Sequence, residues 1–193
     1  MYKAVLDTCV LVPDLQRDFL LQLATEHAYA ALWGTGILFE LDYVLEGLNA
    51  GRGVPQEESD RRRTHLFEQM AYAFPGSTVN APKDRDYDYQ LHDPNDGHVA
   101  HAAIIGKADA IVTNDGRAGF PTAPALLDAD VETLSAAEFA ANTVAAHPAA
   151  GIRALEALAA RRSTTPQAVL DDLRDRHEMN DVAAILGSYL DDV

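Results

Sequence analysis

The chain has 193 residues, 48% of them hydrophobic, and a formal net charge of −15. This suits one domain, or one domain with a small appendage, with ample material for a core, and the charge argues against nonspecific duplex binding through a broad basic face. No apolar run reaches the roughly 18 residues of a membrane span, no secretory leader is expected because a strand pattern begins almost at once, and the single Cys9 can form no internal disulfide; these features place the protein in the cytoplasm.

Taken in order, Lys3 to Asp7 reads as a buried strand ending in an acid, followed by a tight exit to Pro13. Leu15, Phe19, Leu20 and Leu23 recur at helical spacing and predict a helix over residues 14–27. Residues 30–33 suggest a second strand. Ile37, Leu38, Leu41, Val44, Leu45 and Leu48 then form the clearest helical stripe of the chain. Glu40 falls on the edge of that stripe, where an acid costs free energy unless something pairs with it. A long helix runs from Pro55 to about Phe74 and carries Arg61, Arg62 and Arg63 among acids, which reads first as intrahelical pairing on a solvated face.

Residues 77–80 suggest a third strand, and residues 82–92 are polar and irregular. Asp93 is a good N-cap, Pro94 suits the first helical position, and Asp96 falls in the first turn of a helix to about Gly106. Ala110, Ile111 and Val112 make a short buried strand that ends in Thr113, Asn114 and Asp115. A last strand is expected over 130–134, and Ser135 with Glu138 forms a capping box for the helix after it. Pro148 marks a boundary beyond which the pattern is helical throughout, so we divide the chain into residues 1–146 and a helical region 147–193.

Alternating strands and helices imply an α/β class, a three-layer α/β/α sandwich around a central parallel sheet, with a small all-helical extension. In such a sheet Asp7 and Asp115 end strands at the same edge, Asp96 starts the helix feeding the last of these strands, and Glu40 lies near the start of the helix after strand two. Four carboxylates in one crevice repel one another and are tolerated if a cation sits among them. Oxygen-only donors favour a hard ion, Mg²⁺ or Mn²⁺, and an ion so held suits phosphodiester hydrolysis.

These residues resemble the PIN-domain ribonucleases, in particular the VapC-type toxins of bacterial toxin–antitoxin pairs. The resemblance rests on VLDTCVL with Asp7, GILFELDYVL with Glu40, DGHVAHAAI with Asp96 and IVTND with Asp115, in that order, and covers about residues 1–145. It implies a metal-dependent endoribonuclease leaving a 5′-phosphate and a 3′-hydroxyl. Asp7, Asp96 and Asp115 would be metal ligands, and Glu40 would bind a second ion or orient the attacking water. It further implies a homodimer, an RNA substrate with transfer RNA the first to test, and a cognate antitoxin whose tail covers the site. Cys9 stands where this family usually shows Asn, and because a thiol donates weakly, loss of a hydrogen bond orienting the Asp7 carboxylate is expected.

Other readings compete. His92, His98 and His101 near Asp96 suggest a zinc hydrolase, but helical phase predicts that His98 and His101 point away from Asp96 as half-exposed packing residues. A haloacid-dehalogenase-type phosphatase needs an acid at position 9, where the chain has Cys9. A silent PIN-like module for RNA or protein binding is the non-enzymatic alternative. The 147–193 region reads as a packing buttress, with RNA contact through Arg161 and Arg162 the alternative.

Overall fold

The computed structural model describes residues 1–190. Its strands are β1 (Lys3–Leu6), β2 (Ala30–Gly34), β3 (Thr78–Val79), β4 (Ala110–Val112) and β5 (Glu132–Leu134). Its helices are α1 (Thr8–Leu11), α2 (Asp14–Thr25), α3 (Thr35–Gly51), α4 (Gln56–Ala73), α5 (Gly97–Gly106), α6 (Pro124–Asp128), α7 (Ala136–Ala146), α8 (Pro148–Arg162), α9 (Pro166–His177) and α10 (Asn180–Leu190). The expected α/β sandwich with a parallel sheet and C-terminal helices is what the chain adopts.

The sheet order is β3-β2-β1-β4-β5. The chain therefore winds outward from β1 through β2 to β3, then returns to β1's other side for β4. β1 and β4 run parallel, with Ala4 opposite Ala110 and Leu6 opposite Val112. Their residues Ala4 to Leu6 and Ala110 to Val112 have no exposed surface, as strands covered on both faces require. The reversal of winding direction between β1 and β4 opens a crevice beyond the strands' carboxyl ends, the place where ligands bind in open α/β sheets. Asp7 and Thr113 come directly after the two strands there.

Contacts divide the chain into two compact units. One holds Lys3–Val12 and Ala31–Thr133 and contains most of the sheet with α1, α3, α4, α5 and α6. Within it α5 packs on β1, β3 and β4, and α3 packs on α4. Arg63, buried on α4, donates to Asp42 of α3 and to Asp60 at 2.5 Å, whereas Arg61 and Arg62 pair with Glu58 on their own helix. The expected intrahelical pairing therefore engages all three arginines, and Arg63 in addition fastens α4 to α3.

The other unit draws on residues 13–30 together with the chain from Leu134. It is a bundle of α2, α7, α8, α9 and α10. Phe19, Leu20, Leu23, Phe139, Leu155, Leu158, Leu173 and Leu186 fill its core. Tyr29 meets Phe139 edge-on at 4.7 Å and donates its hydroxyl to the Leu20 carbonyl at 2.9 Å. Arg161 donates to Gln22 at 2.7 Å and Arg162 to Asp18 at 2.9 Å. The pair weighed as an RNA contact is thus engaged in packing α8 against α2, and the C-terminal helices share a core with a helix from near the N-terminus.

Candidate active site

β1 leads directly into Asp7, which is the N-cap of α1: its Oδ1 accepts from the Thr8 backbone N–H at 2.6 Å. The other oxygen, Oδ2, accepts from the Thr113 hydroxyl at 2.7 Å. Both residues are buried. The parallel register explains the meeting, because Leu6 lies opposite Val112 and the next residues fall side by side. Thr113 Oγ1 also accepts from the Asp115 backbone N–H at 3.0 Å. One hydroxyl therefore ties the first carboxylate to the backbone of the last.

Cys9 corrects one expectation. Its Sγ lies 3.3 Å from Asp7 Oδ2 and 3.3 Å from Thr113 Oγ1, and it accepts from the Asn114 N–H at 3.2 Å. The thiol keeps contact with Asp7, and Thr113 supplies the strong donor. Burial and the charge of Asp7 push the Cys9 thiol up to about 11, so it stays protonated and able to donate.

Asp96 enters differently from the expected helical phase. Pro94–Asp96 forms a 3-10 turn capped by Asp93, whose Oδ1 accepts from the Asn95 N–H at 2.9 Å, and the α-helix begins only at Gly97. The tighter turn shifts the phase of the helical residues after it. Asp96 stands at the junction and makes no capping bond. Its carboxylate is half-buried and, among the described residues, has no hydrogen bond or ion pair. Burial and then the charges of Asp7, Asp93 and Asp115 push it up to about 6.

That shift has a stability consequence. A carboxyl with a folded pKa raised from about 4 to about 6 adds stability at low pH that is lost as pH rises through 6. The full shift corresponds to at most about 3 kcal/mol, and solvent screening reduces this to about 1–2 kcal/mol. In EDTA, Asp96→Asn is expected to melt higher than the wild type at pH 7.5 by roughly 2–8 °C and to gain nothing at pH 4. Equal melting at pH 7.5 would show that Asp96 carries no charge strain.

Glu40, on the first turns of α3, is the best-partnered acid of the set. Oε1 pairs with Lys83, while Oε2 accepts from the Thr8 hydroxyl at 3.0 Å and lies 3.1 Å from His98 Nε2. His98 is buried rather than half-exposed, because the 3-10 start turns it inward. Its Nδ1 donates to the Asn95 carbonyl at 2.9 Å. Nε2 can then bond the carboxylate only if the pair holds one further proton. Burial pulls the His98 imidazole below its ordinary pKa.

Gly36 makes this packing possible. A Cβ there would stand 2.6 Å from His98 Cδ2, 2.8 Å from the Ala81 carbonyl and 2.9 Å from the Lys83 nitrogen. The stretch 82–92, irregular as expected, walls a cavity of about 420 Å³ that includes Lys83, Arg85, Tyr87, Asn95 and His98. Tyr87 lies 4.6 Å from His101, and Tyr89 bonds His101 Nδ1 at 2.7 Å. His92 packs at Gly119. The three histidines thus go three separate ways, which leaves the zinc reading without a ligand set.

Asp115 is turned onto Arg117, which donates from Nε at 3.3 Å and holds the carboxyl below its usual range. Asp96 thus senses the charges of Asp7 and Asp115, and Glu40 is joined to the site through Thr8 and His98. Among the described residues no three His, Cys, Asp or Glu side chains form a ready-made metal cage. In donor type and charge the carboxylates nonetheless fit a hard divalent cation. The half-buried Asp96, raised by burial and by its acidic neighbours and, among the described residues, in no ion pair, is the observation for that fit.

Thr8, Thr113, Lys83 and His98 are the members that spacing alone missed. The threonines stand directly after Asp7 and β4, a position that could have marked them. Lys83 lies in a stretch without periodicity and gave no signal. The sequence profile described as the PIN domain matches residues 3–117. No curated protein and no solved structure is a significant match.

Proposed function

From the premise that the chain belongs to the PIN-domain family, a family of nucleases that in general work with divalent ions, we propose that it is a Mg²⁺- or Mn²⁺-dependent endoribonuclease. The carrying observation is the placement of Asp7 and Thr113 at the switch point between β1 and β4, with the unpaired Asp96 carboxylate in electrostatic range. Asp7, Asp96 and Asp115 would hold the ion. Glu40 is the fourth acid, as ligand of a second ion or as the group orienting the attacking water. A bound ion of this kind supplies Lewis acidity to a phosphate oxygen and an activated water. The chain's own part is orientation: the Thr8 N–H and the Thr113 hydroxyl hold both oxygens of Asp7, and the Lys83, Thr8 and His98 contacts fix Glu40.

RNA as substrate is supported by the cavity beside the acids. Lys83 and Arg85 can meet phosphate there and Tyr87 can stack on a base, with Asp84, Asp86 and Asp88 also in the lining. The VapC-type toxin role, transfer RNA as target, a cognate antitoxin, a homodimer and a cytoplasmic setting rest on the sequence resemblance alone. No described helix is long and apolar enough to cross a membrane. Incubating the protein with a structured RNA pool is expected to give fragments with 5′-phosphates in Mn²⁺ and none in EDTA. Metal-independent cutting, or 5′-hydroxyl ends, would contradict the reading. Binding of RNA in Mn²⁺ without cutting would favour a silent RNA-binding PIN module.

A further inference from the structure

We propose that the Lys83 ammonium occupies the place of a second metal ion at Glu40, so that the site takes up one divalent cation only. The inference rests on the metal-dependent reading above and concerns Glu40, whose role that reading leaves between two alternatives. Both oxygens of Glu40 are already engaged: Lys83 holds Oε1, and the Thr8 hydroxyl and His98 Nε2 face Oε2 at 3.0 and 3.1 Å. A second ion at Glu40 would have to displace a full positive charge and the Thr8 hydroxyl donor, and would meet the His98 ring packed against Oε2. Asp96 differs in kind, since no described group pairs with it.

Lys83 is held in place by its backbone. The Gly36 N–H donates to the Ala81 carbonyl at 2.9 Å, and the Ala81 N–H donates to Thr35 Oγ1 at 3.1 Å. These bonds pin the start of the 82–92 stretch to the N-terminus of α3, the same helix that carries Glu40. The absence of a Cβ at Gly36 lets the Lys83 backbone nitrogen approach closely. The ammonium is half-buried, with 32% of the side chain exposed against 23% for Glu40, so salt screens the pair less than a surface contact. Lys83 is therefore a positioning residue that fixes the Glu40 carboxylate and supplies one positive charge at that end of the site.

The test is calorimetric titration of Mn²⁺ into the full chain. Wild type is expected to bind one ion, Lys83→Met two, and Lys83→Arg one, because arginine restores the charge. Adding Glu40→Gln to Lys83→Met should return the count to one. Melting curves that stay within about 3 °C of wild type establish that the variants are folded. Two ions in the wild type, or one in Lys83→Met, overturns the proposal. No binding to the wild type defeats the metal-dependent reading itself, and this inference with it.

Discussion

Asp7→Asn is expected to abolish both metal binding and RNA cleavage while leaving the fold intact. Asparagine caps α1 as well as aspartate does, so Oδ1 still accepts from the Thr8 N–H, while the amide Nδ2 takes the place of the oxygen that accepts from the Thr113 hydroxyl and can donate to that hydroxyl instead. What disappears is the charge, at a buried position where two donors from two different strand ends converge on one carboxylate. Loss of groups that merely support a metal ligand costs about 10–100-fold. Loss of the ligand's charge should cost about a thousandfold or more in cleavage. Saturating Mn²⁺, at about a hundred times Kd, should stabilise the wild type by about 2.7 kcal/mol, or roughly 5–10 °C in Tm. In Asp7→Asn the same addition should move Tm by less than about 1 °C. A wild-type-sized shift in the variant would place the ion elsewhere.

Gly36→Ala is expected to damage stability and site together. The new methyl meets two backbone atoms at 2.8 and 2.9 Å besides the His98 ring, and backbone cannot yield as a flexible side chain can. Overpacking of this kind costs about 1–3 kcal/mol, roughly 3–10 °C in Tm. The strain falls on the two groups, Lys83 and His98, that hold Glu40, so cleavage should drop along with melting temperature. Gly47→Ala is the control on the same helix. Nothing lies within 4 Å of its added carbon, and replacing glycine in an exposed helix interior gains about 0.5–1 kcal/mol. The two substitutions should shift Tm in opposite directions; a loss in both would mean that α3 resists alanine for reasons other than the close approach at Gly36.

The contrast between these glycines shows where the sequence is legible. The apolar runs of β1 and β4 and the stripe of α3 are direct products of periodicity, and the Ser135–Glu138 box at the start of α7 is a product of local hydrogen bonding. Asp7 could be placed because an acid directly after a buried strand has few places to go, and Asp115 because only two residues separate it from β4. Glu40 stood out as a carboxylate at a core edge, and the structure supplies the partners that such a position demands.

Misreadings came where a small local choice changes geometry. Starting at Pro94 with a 3-10 turn rather than an α-turn buries His98 and leaves Asp96 uncapped. No composition rule distinguishes those starts. Lys83 reaches Glu40 across 43 residues of chain through an irregular stretch, and non-local contacts of irregular segments leave no pattern to read. The arginines at 161 and 162 look available in the sequence because their partners, Gln22 and Asp18, lie far back in the chain on α2.

The central claim is that Asp7, Asp96 and Asp115 together hold one catalytic cation. Crystals of the wild-type protein soaked in Mn²⁺ test it through the anomalous signal of the metal. The expected result is a single peak with oxygens of these three carboxylates about 2.1 Å away, Asp115 released from Arg117, and Lys83 still on Glu40. No peak at the carboxylates, or a peak bound by other residues, would contradict it.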